Sequence, residues 1–288
     1  MRYGMPWQGS KSRIAEWVVD ILPPSHTLVD LFAGGGAVTH CALLSGKWER
    51  IIANDMTDSM MVFCAAINGE FDGYAACPAR EEWFAYRDMD TAMALLMSFG
   101  NDRTTYLWSP ELEAVKRPAS LMLSSPSLWE RYRWYHRFVD ALTEYVKAND
   151  GLPNRLTECE GMERLQQLEK ITRLQGLQGL QGDYRLVDIP EGATVYADPP
   201  YRGTANSSRY GAFDFDAFDQ WLNGVDFPVF VSEFDAPTGC VEIASTERTT
   251  SMAANSTDKR TERIFVQERF YDQCRPLTLF DMVEGEDA

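Results

Sequence analysis

The chain has 288 residues, 45% of them hydrophobic and 24% charged, with a formal net charge of −16. That is the composition of a globular protein with room for a full core, and no apolar run approaches the ~18 residues a membrane span needs. The acidic balance, taken alone, speaks against a nucleic-acid partner, because phosphate contacts need clustered Lys and Arg. Six cysteines (Cys41, Cys64, Cys77, Cys159, Cys240 and Cys274) are scattered without a C-x-x-C pair, so neither a zinc site nor a disulfide framework is expected and no metal is assigned. The N-terminal MRYGMPWQGSK lacks the apolar stretch of a signal peptide, which completes the reading of a protein of the reducing cytoplasm.

In chain order, the first 75 residues alternate as βαβ units do. SKSRIAEWVVDIL places Ile14, Trp17, Val18 and Ile21 on one helical face, with Ser10 or Ser12 near its start, and Pro23-Pro24 ends it. TLVDLF reads as a short buried strand, GGGAVTHCALLSG as a glycine turn leading into a helix, and RIIAND as a second strand ending in an acid. Residues from about 80 to 180 turn aromatic and charged, with YRDMDTAMALLMSF and LWERYRWYHRFVDALTEYVKA helical in pattern and no convincing strand. Within them LQQLEKITRLQGLQGLQG sets Leu165, Leu168, Ile171, Leu174, Leu177 and Leu180 three apart. A 3.6-residue helix drifts by about 60° per such step, so a helix over 161–174 is expected to fray into an irregular connection. Strand patterns return from about 184 in YRLVDI, ATVYAD, FPVFVSEF and RIFVQERFY. The arrangement predicted is one α/β domain interrupted by a helical insertion, with 1–80 and 181–288 forming the main domain and 81–180 the insertion and linker.

Three carboxylates end strands in this reading. Asp30 precedes a glycine turn whose small residues let a ligand approach the backbone and helix N–H groups. Asp55 closes the second strand, where an acid can accept hydrogen bonds from ribose hydroxyls; a plain turn or helix cap is the alternative. Asp198 stops the run Val195-Tyr196-Ala197 and is followed by Pro199-Pro200-Tyr201, two prolines that stiffen the backbone. In an open α/β sheet such positions line one crevice. A carboxylate and the Pro199 carbonyl are both acceptors, and Tyr201 offers a ring face, a set suited to an amino group on a planar base.

These stretches, taken together, make the chain resemble the Dam-like, D12-class DNA N6-adenine methyltransferases of the phage-associated type. PWQGSK (6–11) is similar to the family's W-x-G-G-K with Ser10 at its second glycine, DLFAGGGAVT to D-x-F-x-G-x-G, Asp55 to the ribose acid, Asp183-Tyr184 to an Asp-Phe pair, and Asp198 to Tyr201 to the D-P-P-Y tetrapeptide; SFGND (98–102) and the Leu-Gln repeat also resemble phage-associated members. The resemblance implies a Rossmann-like, doubly wound S-adenosylmethionine-dependent sheet with a helical target-recognition insertion. It implies methyl transfer to N6 of a flipped adenine in double-stranded DNA, by a site-specific, adenine-specific methyltransferase that uses no metal. Carried over residue by residue, Trp7 and Lys11 lie beside the cofactor and substrate pocket, Asp30, Phe32, Ala33, Gly34 and Gly36 pass along the methionine part, and Asp55 takes the ribose. Asp183 takes the cofactor's adenine amino group, Tyr184 packs on that ring, and Asp198 with Pro199, Pro200 and Tyr201 orients the target N6. Lys11 keeps an alternative as a phosphate or surface contact.

Against the acidic average, positive potential is expected on one face carrying Arg103, Lys116 with Arg117, the 131–137 helix with Arg133 and Arg137 on a common side, and the 259–269 segment with Lys259 and Arg260. The resemblance implies a single chain acting alone and leaves a restriction endonuclease partner open. Methylation of another planar amine, such as cytosine N4, and a non-catalytic DNA-binding or antirestriction protein are the competing readings; Asp198 at the head of the tetrapeptide favours adenine over the first, and the intact motifs argue against the second.

Overall fold

A computed structural model describes residues 3–7, 9–68, 77–153, 176–202, 213–253 and 256–275, with backbone alone over 248–253 and 256–260. The chain divides into two compact units. One comprises 1–3, 11–60 and 175–288, the other 4–10 and 61–174.

The first unit is built on a seven-stranded sheet: β1 (Thr27–Asp30), β2 (Arg50–Asp55), β3 (Leu177–Gln181), β4 (Thr194–Ala197), β5 (Val229–Glu233), β6 (Cys240–Ala253) and β7 (Ser256–Gln267), in the spatial order β3-β2-β1-β4-β5-β7-β6. β3 to β5 pair parallel around β1, and β7 joins β5 antiparallel, so the reversal of strand order falls between β1 and β4. This is a Rossmann-like sheet, of the kind whose ligand crevice lies outside the carboxyl ends of the strands at such a reversal. β1, β4 and β5 are buried along their whole length, as continuous apolar runs in a sheet covered on both faces should be. α1 (Ala15–Ile21) and α2 (Ala37–Ser45) cover one face through Val18, Val38 and Ala42 against Leu28, Tyr196 and Phe230. α8 (Phe215–Gly224) covers the other with Phe218 and Leu222 against Val29, Val195 and Val231. Each fully buried Val, Leu or Phe side chain among these stabilises the fold by ~1.5–3 kcal/mol.

In the second unit the helical pattern over 86–99 is realised only as α5 (Thr91–Leu96), because Asp90 caps it with a hydrogen bond from Met93 N, and α4 (Arg80–Tyr86) precedes it as a helix the pattern did not mark. α6 (Pro110–Ser124) starts at a Ser109 cap with Pro110 in its first turn, the position where a missing N–H costs nothing. It packs on α7 (Leu128–Asn149), a helix with no buried residue. α3 (Ser59–Ile67) begins at the border of the two units.

Four sequence expectations need correcting. Leu177–Gln181 is an ordered strand, paired residue by residue with β2 from Ile51↔Leu177 to Asp55↔Gln181, and not an irregular connection. Its glycines and period-three leucines hid an edge strand, while the helix expected over 161–174 lies outside the described residues. YRLVDI is a turn of 3-10 helix over Tyr184–Leu186 followed by extended chain, since Asp183 caps it with a hydrogen bond from Arg185 N. α1 carries no serine cap, because Ser12 Oγ instead accepts the Tyr3 N–H at 2.7 Å. Cys77 is disulfide-bonded, contrary to the expectation of no disulfide, while Cys41, Cys64, Cys240 and Cys274 are not.

Candidate active site

β1 and β2 deliver the first part of the site. Past Asp30 the chain turns through Gly34 and Gly36, both at positive φ (52° and 72°), a backbone shape that a Cβ would strain. Asp55, at the end of β2, fastens this loop: its Oδ2 accepts Gly34 N at 2.9 Å and its Oδ1 accepts Thr57 N at 2.8 Å and Thr57 Oγ1 at 2.6 Å. Ala33 N adds a bond to Asn54 O at 2.8 Å, and Asn54 Nδ2 ties the ends of β1 and β3 by donating to Leu31 O and Gly182 O, both at 3.1 Å. The acid expected to meet a ribose is thus also the clamp of the glycine loop. Asp30 is buried and accepts the Thr39 hydroxyl at 2.8 Å. Burial, with the nearby charges of Asp198 and Asp55, pushes its carboxyl up to about 7 in spite of that bond.

Beside this loop opens a cleft lined by Phe32, Asn54, Met56, Asp183, Tyr184, Pro200, Phe213 and Ala217. Tyr184 is buried and meets Phe32 at 4.9 Å between ring centroids and Trp221 at 5.0 Å edge-on. Asp183 stands at the mouth, held below the usual carboxylate range by hydrogen bonds from Arg185, an exposed and therefore weak pair. An aromatic slot with a carboxylate at its rim fits a purine ring with an amino group, so the residues fit the nucleoside end of S-adenosylmethionine.

At the end of β4 stands the second part. Asp198 Oδ1 lies 2.7 Å from Lys11 Nζ, and the Lys11 side chain is only 5% exposed, which excludes a surface phosphate contact for it. Lys11 Nζ also lies 4.4 Å from the Tyr201 ring centroid and 3.4 Å from Glu262 Oε1 on β7. The Tyr201 hydroxyl donates to Glu262, and its ring meets Phe234 edge-on at 4.5 Å. Asp198 is raised from the ordinary carboxylate range, chiefly by burial and further by Glu262, with Lys11 and the Tyr201 hydroxyl opposing. Glu233, at the end of β5, accepts Arg202 N at 3.1 Å and Phe234 N at 2.8 Å, fixing the chain just after Tyr201; burial pushes it up to about 7. Pro199 is buried, Pro200 lines the cleft, and no peptide bond among the described residues is cis.

Trp7 belongs to the second unit. There Ser10 N closes a turn on Trp7 O at 3.2 Å with Gly9 at φ 80°, so the left-handed position is filled by glycine and Ser10 leaves the turn intact. Asn101 Nδ2 holds the same stretch by donating to Pro6 O at 3.0 Å. Arg133 and Arg137 both lie over Trp134, at 5.1 and 5.0 Å, while Arg131 Nε turns back to Ser125 O at 2.6 Å. Lys116 Nζ lies 5.9 Å from the Trp108 ring, Arg117 pairs with Glu82 at 3.4 Å, and Arg103 sits at φ 60°. In the first unit Arg263 binds Phe234 O and Glu242, and Arg269 binds Asn223 O and Val225 O, so these two arginines serve their own fold. The side chains of Lys259 and Arg260 lie outside the described residues.

Glu262 and Glu233 carried no motif. The signal that finds Glu262 is its phase: it shares the inward side of β7 with Ile264 and Val266, all fully buried, where an acid is anomalous unless paired. No helix among the described residues is long and apolar enough to cross a membrane, and no group of three or more His, Cys, Asp or Glu among them could hold a metal ion.

None of the curated proteins matches the chain. Among solved structures it is similar to the rRNA methyltransferase aviRa from Streptomyces viridochromogenes, at 14% identity over 87% of this chain and 81% of that one, with a TM-score of 0.33. Residues 7–88, which hold Trp7, Lys11, the glycine loop and Asp55, match the family model described as D12 class N6 adenine-specific DNA methyltransferase.

Proposed function

We propose that this chain transfers a methyl group from S-adenosylmethionine to N6 of an adenine in double-stranded DNA, with the target base flipped from its stack. The observation that carries the reading is the group at the end of β4: a desolvated carboxylate, Asp198, held 2.7 Å from a buried Lys11, with the Tyr201 ring beside it. The family match over 7–88 supports it from the other half of the crevice.

When bound, S-adenosylmethionine supplies a methyl carbon made electrophilic by a sulfonium. The aromatic cleft of Phe32, Tyr184 and Phe213 would hold its adenine, Asp183 that ring's amino group, Asp55 its ribose, and the Asp30–Gly36 loop its methionine end. Asp198 and the Pro199 carbonyl accept the two N–H bonds of the target amine, which turns the nitrogen lone pair toward the donor and offsets the positive charge that grows on nitrogen. Tyr201 offers the flipped base a stacking surface, compensating part of the few kcal/mol that flipping costs. Lys11 favours the ionised form of Asp198 and so opposes the burial that favours its protonated form.

We assign DNA contact to the helical segment between β2 and β4, roughly the 81–180 insertion, through Arg103, Lys116, Arg133 and Arg137, with Lys259 and Arg260 of the β6–β7 hairpin. Phosphate contact suits these residues better than base reading. A single chain suffices for the reaction, and a restriction endonuclease partner is compatible with it. The test is transfer from methyl-labelled S-adenosylmethionine to duplex DNA, followed by nucleoside digestion and mass spectrometry. Label on N6-methyladenine is expected; label on cytosine, or none while the cofactor binds, overturns the reading.

A further inference from the structure

β7 runs antiparallel to β5 with Glu233 opposite Arg263, so the next residue, Glu262, stands just beyond the end of β5, at the edge where the parallel strands stop. Alternation puts it in phase with Ile264, on the sheet face that α1 covers, and it is fully buried. Two groups of the amine site converge on its Oε1: Lys11 Nζ at 3.4 Å and the Tyr201 hydroxyl, which donates to it. A buried ammonium and a tyrosine hydroxyl that both faced Asp198 alone would settle wholly on that carboxylate.

We infer that Glu262 is a positioning residue of the amine site, drawing Lys11 partly away from Asp198 and anchoring Tyr201 by its hydroxyl so that ring and carboxylate keep a fixed spacing. The inference rests on the amine-methylating reading above and adds to the amine site a second acid beside Asp198, one that acts through Lys11 and Tyr201. The charge of Glu262 also raises the proton affinity of Asp198. The other titratable groups felt there are Lys11, Tyr201, Asp30, Glu233 and Tyr196, and a substitution at 262 leaves them in place.

Glu262→Gln keeps the shape and removes the charge. It should lower kcat about 10- to 100-fold, the usual size for an outer-shell partner, with KM for the cofactor unchanged within about twofold, and should move the acid limb of the kcat profile to lower pH. Glu262→Asp restores the charge one methylene short, so its acid limb should return to the parental position while kcat stays reduced. Parental kcat and limb in Glu262→Gln, or equal losses in both variants with no displacement of the limb, would overturn the assignment. Should the parent chain transfer no methyl group, the amine reading fails and the anchoring is read by thermal melts alone. Lys11→Met with Glu262→Gln should then melt no lower than Lys11→Met by itself, and additive losses would overturn the anchoring.

Discussion

In the sheet unit Lys11, Asp30, Asp55, Glu233 and Glu262 are buried charged residues, whereas in the helical unit α7 has no buried residue and displays Trp129, Tyr132 and Tyr135 beside its arginines. Charges placed inside a fold cost several kcal/mol unless they are paired, so each of the first group is tied to named partners and its geometry is fixed before any ligand arrives. Charges placed outside cost little and are screened, so the second group answers to salt and to whatever lies against it. The contrast separates a preorganised chemical site from a surface that gains its energy only on contact.

The largest expected effect comes from breaking the interior pairing. Lys11→Met leaves Asp198 and Glu262 facing each other without a cation, and should destabilise the chain by ~3–5 kcal/mol in denaturant titration and reduce single-turnover transfer at least about a hundredfold. Next, Tyr184→Ala removes a wall of the aromatic slot and should raise the cofactor dissociation constant about 5- to 150-fold in calorimetry, the range for ~1–3 kcal/mol of stacking, with a smaller effect on kcat at saturating cofactor.

A pH series sharpens the same contrast. Asp30 and Glu233 are both raised to about 7, above the ordinary carboxylate range. For an acid whose folded value is raised, stability is fully present below the unfolded value and is lost as pH rises through the folded one. The melting temperature should therefore fall between about pH 4 and 7, and Asp30→Asn should flatten part of that fall. The smallest effect belongs to the exterior: Arg133→Ala with Arg137→Ala should leave stability within ~0.5 kcal/mol and weaken duplex binding. The slope of log affinity against log salt should become shallower by about one for each phosphate that the variant no longer neutralises.

What could be read from the sequence follows the same division. The parallel strands carry continuous apolar runs ending in acids, so the pattern alone places Asp30, Asp55 and Asp198 on one edge. β3 was hidden because an edge strand of leucine, glutamine and glycine has no burial alternation to betray it. β6 was missed for a related reason, since its run of Thr and Ser offers no apolar alternation and its pairing along β7 is what makes it a strand. Glu262 escaped because no motif marks a residue whose importance comes from a strand arriving antiparallel, far along the chain, beside Lys11. That Asp55 clamps Gly34 was equally invisible, since spacing tells that two residues are near a ligand but not that they bind each other.

The most direct test of the account is Asp198→Ala, assayed for cofactor affinity and for methyl transfer to duplex adenine in the same preparation. Glu262 still pairs with Lys11 in this variant, and the aromatic slot is untouched. Cofactor affinity within about threefold of the parent, with transfer reduced on the order of a thousandfold, is the predicted result. Parental transfer, or a loss accounted for wholly by weaker cofactor binding, would contradict the claim that Asp198 holds the reacting amine.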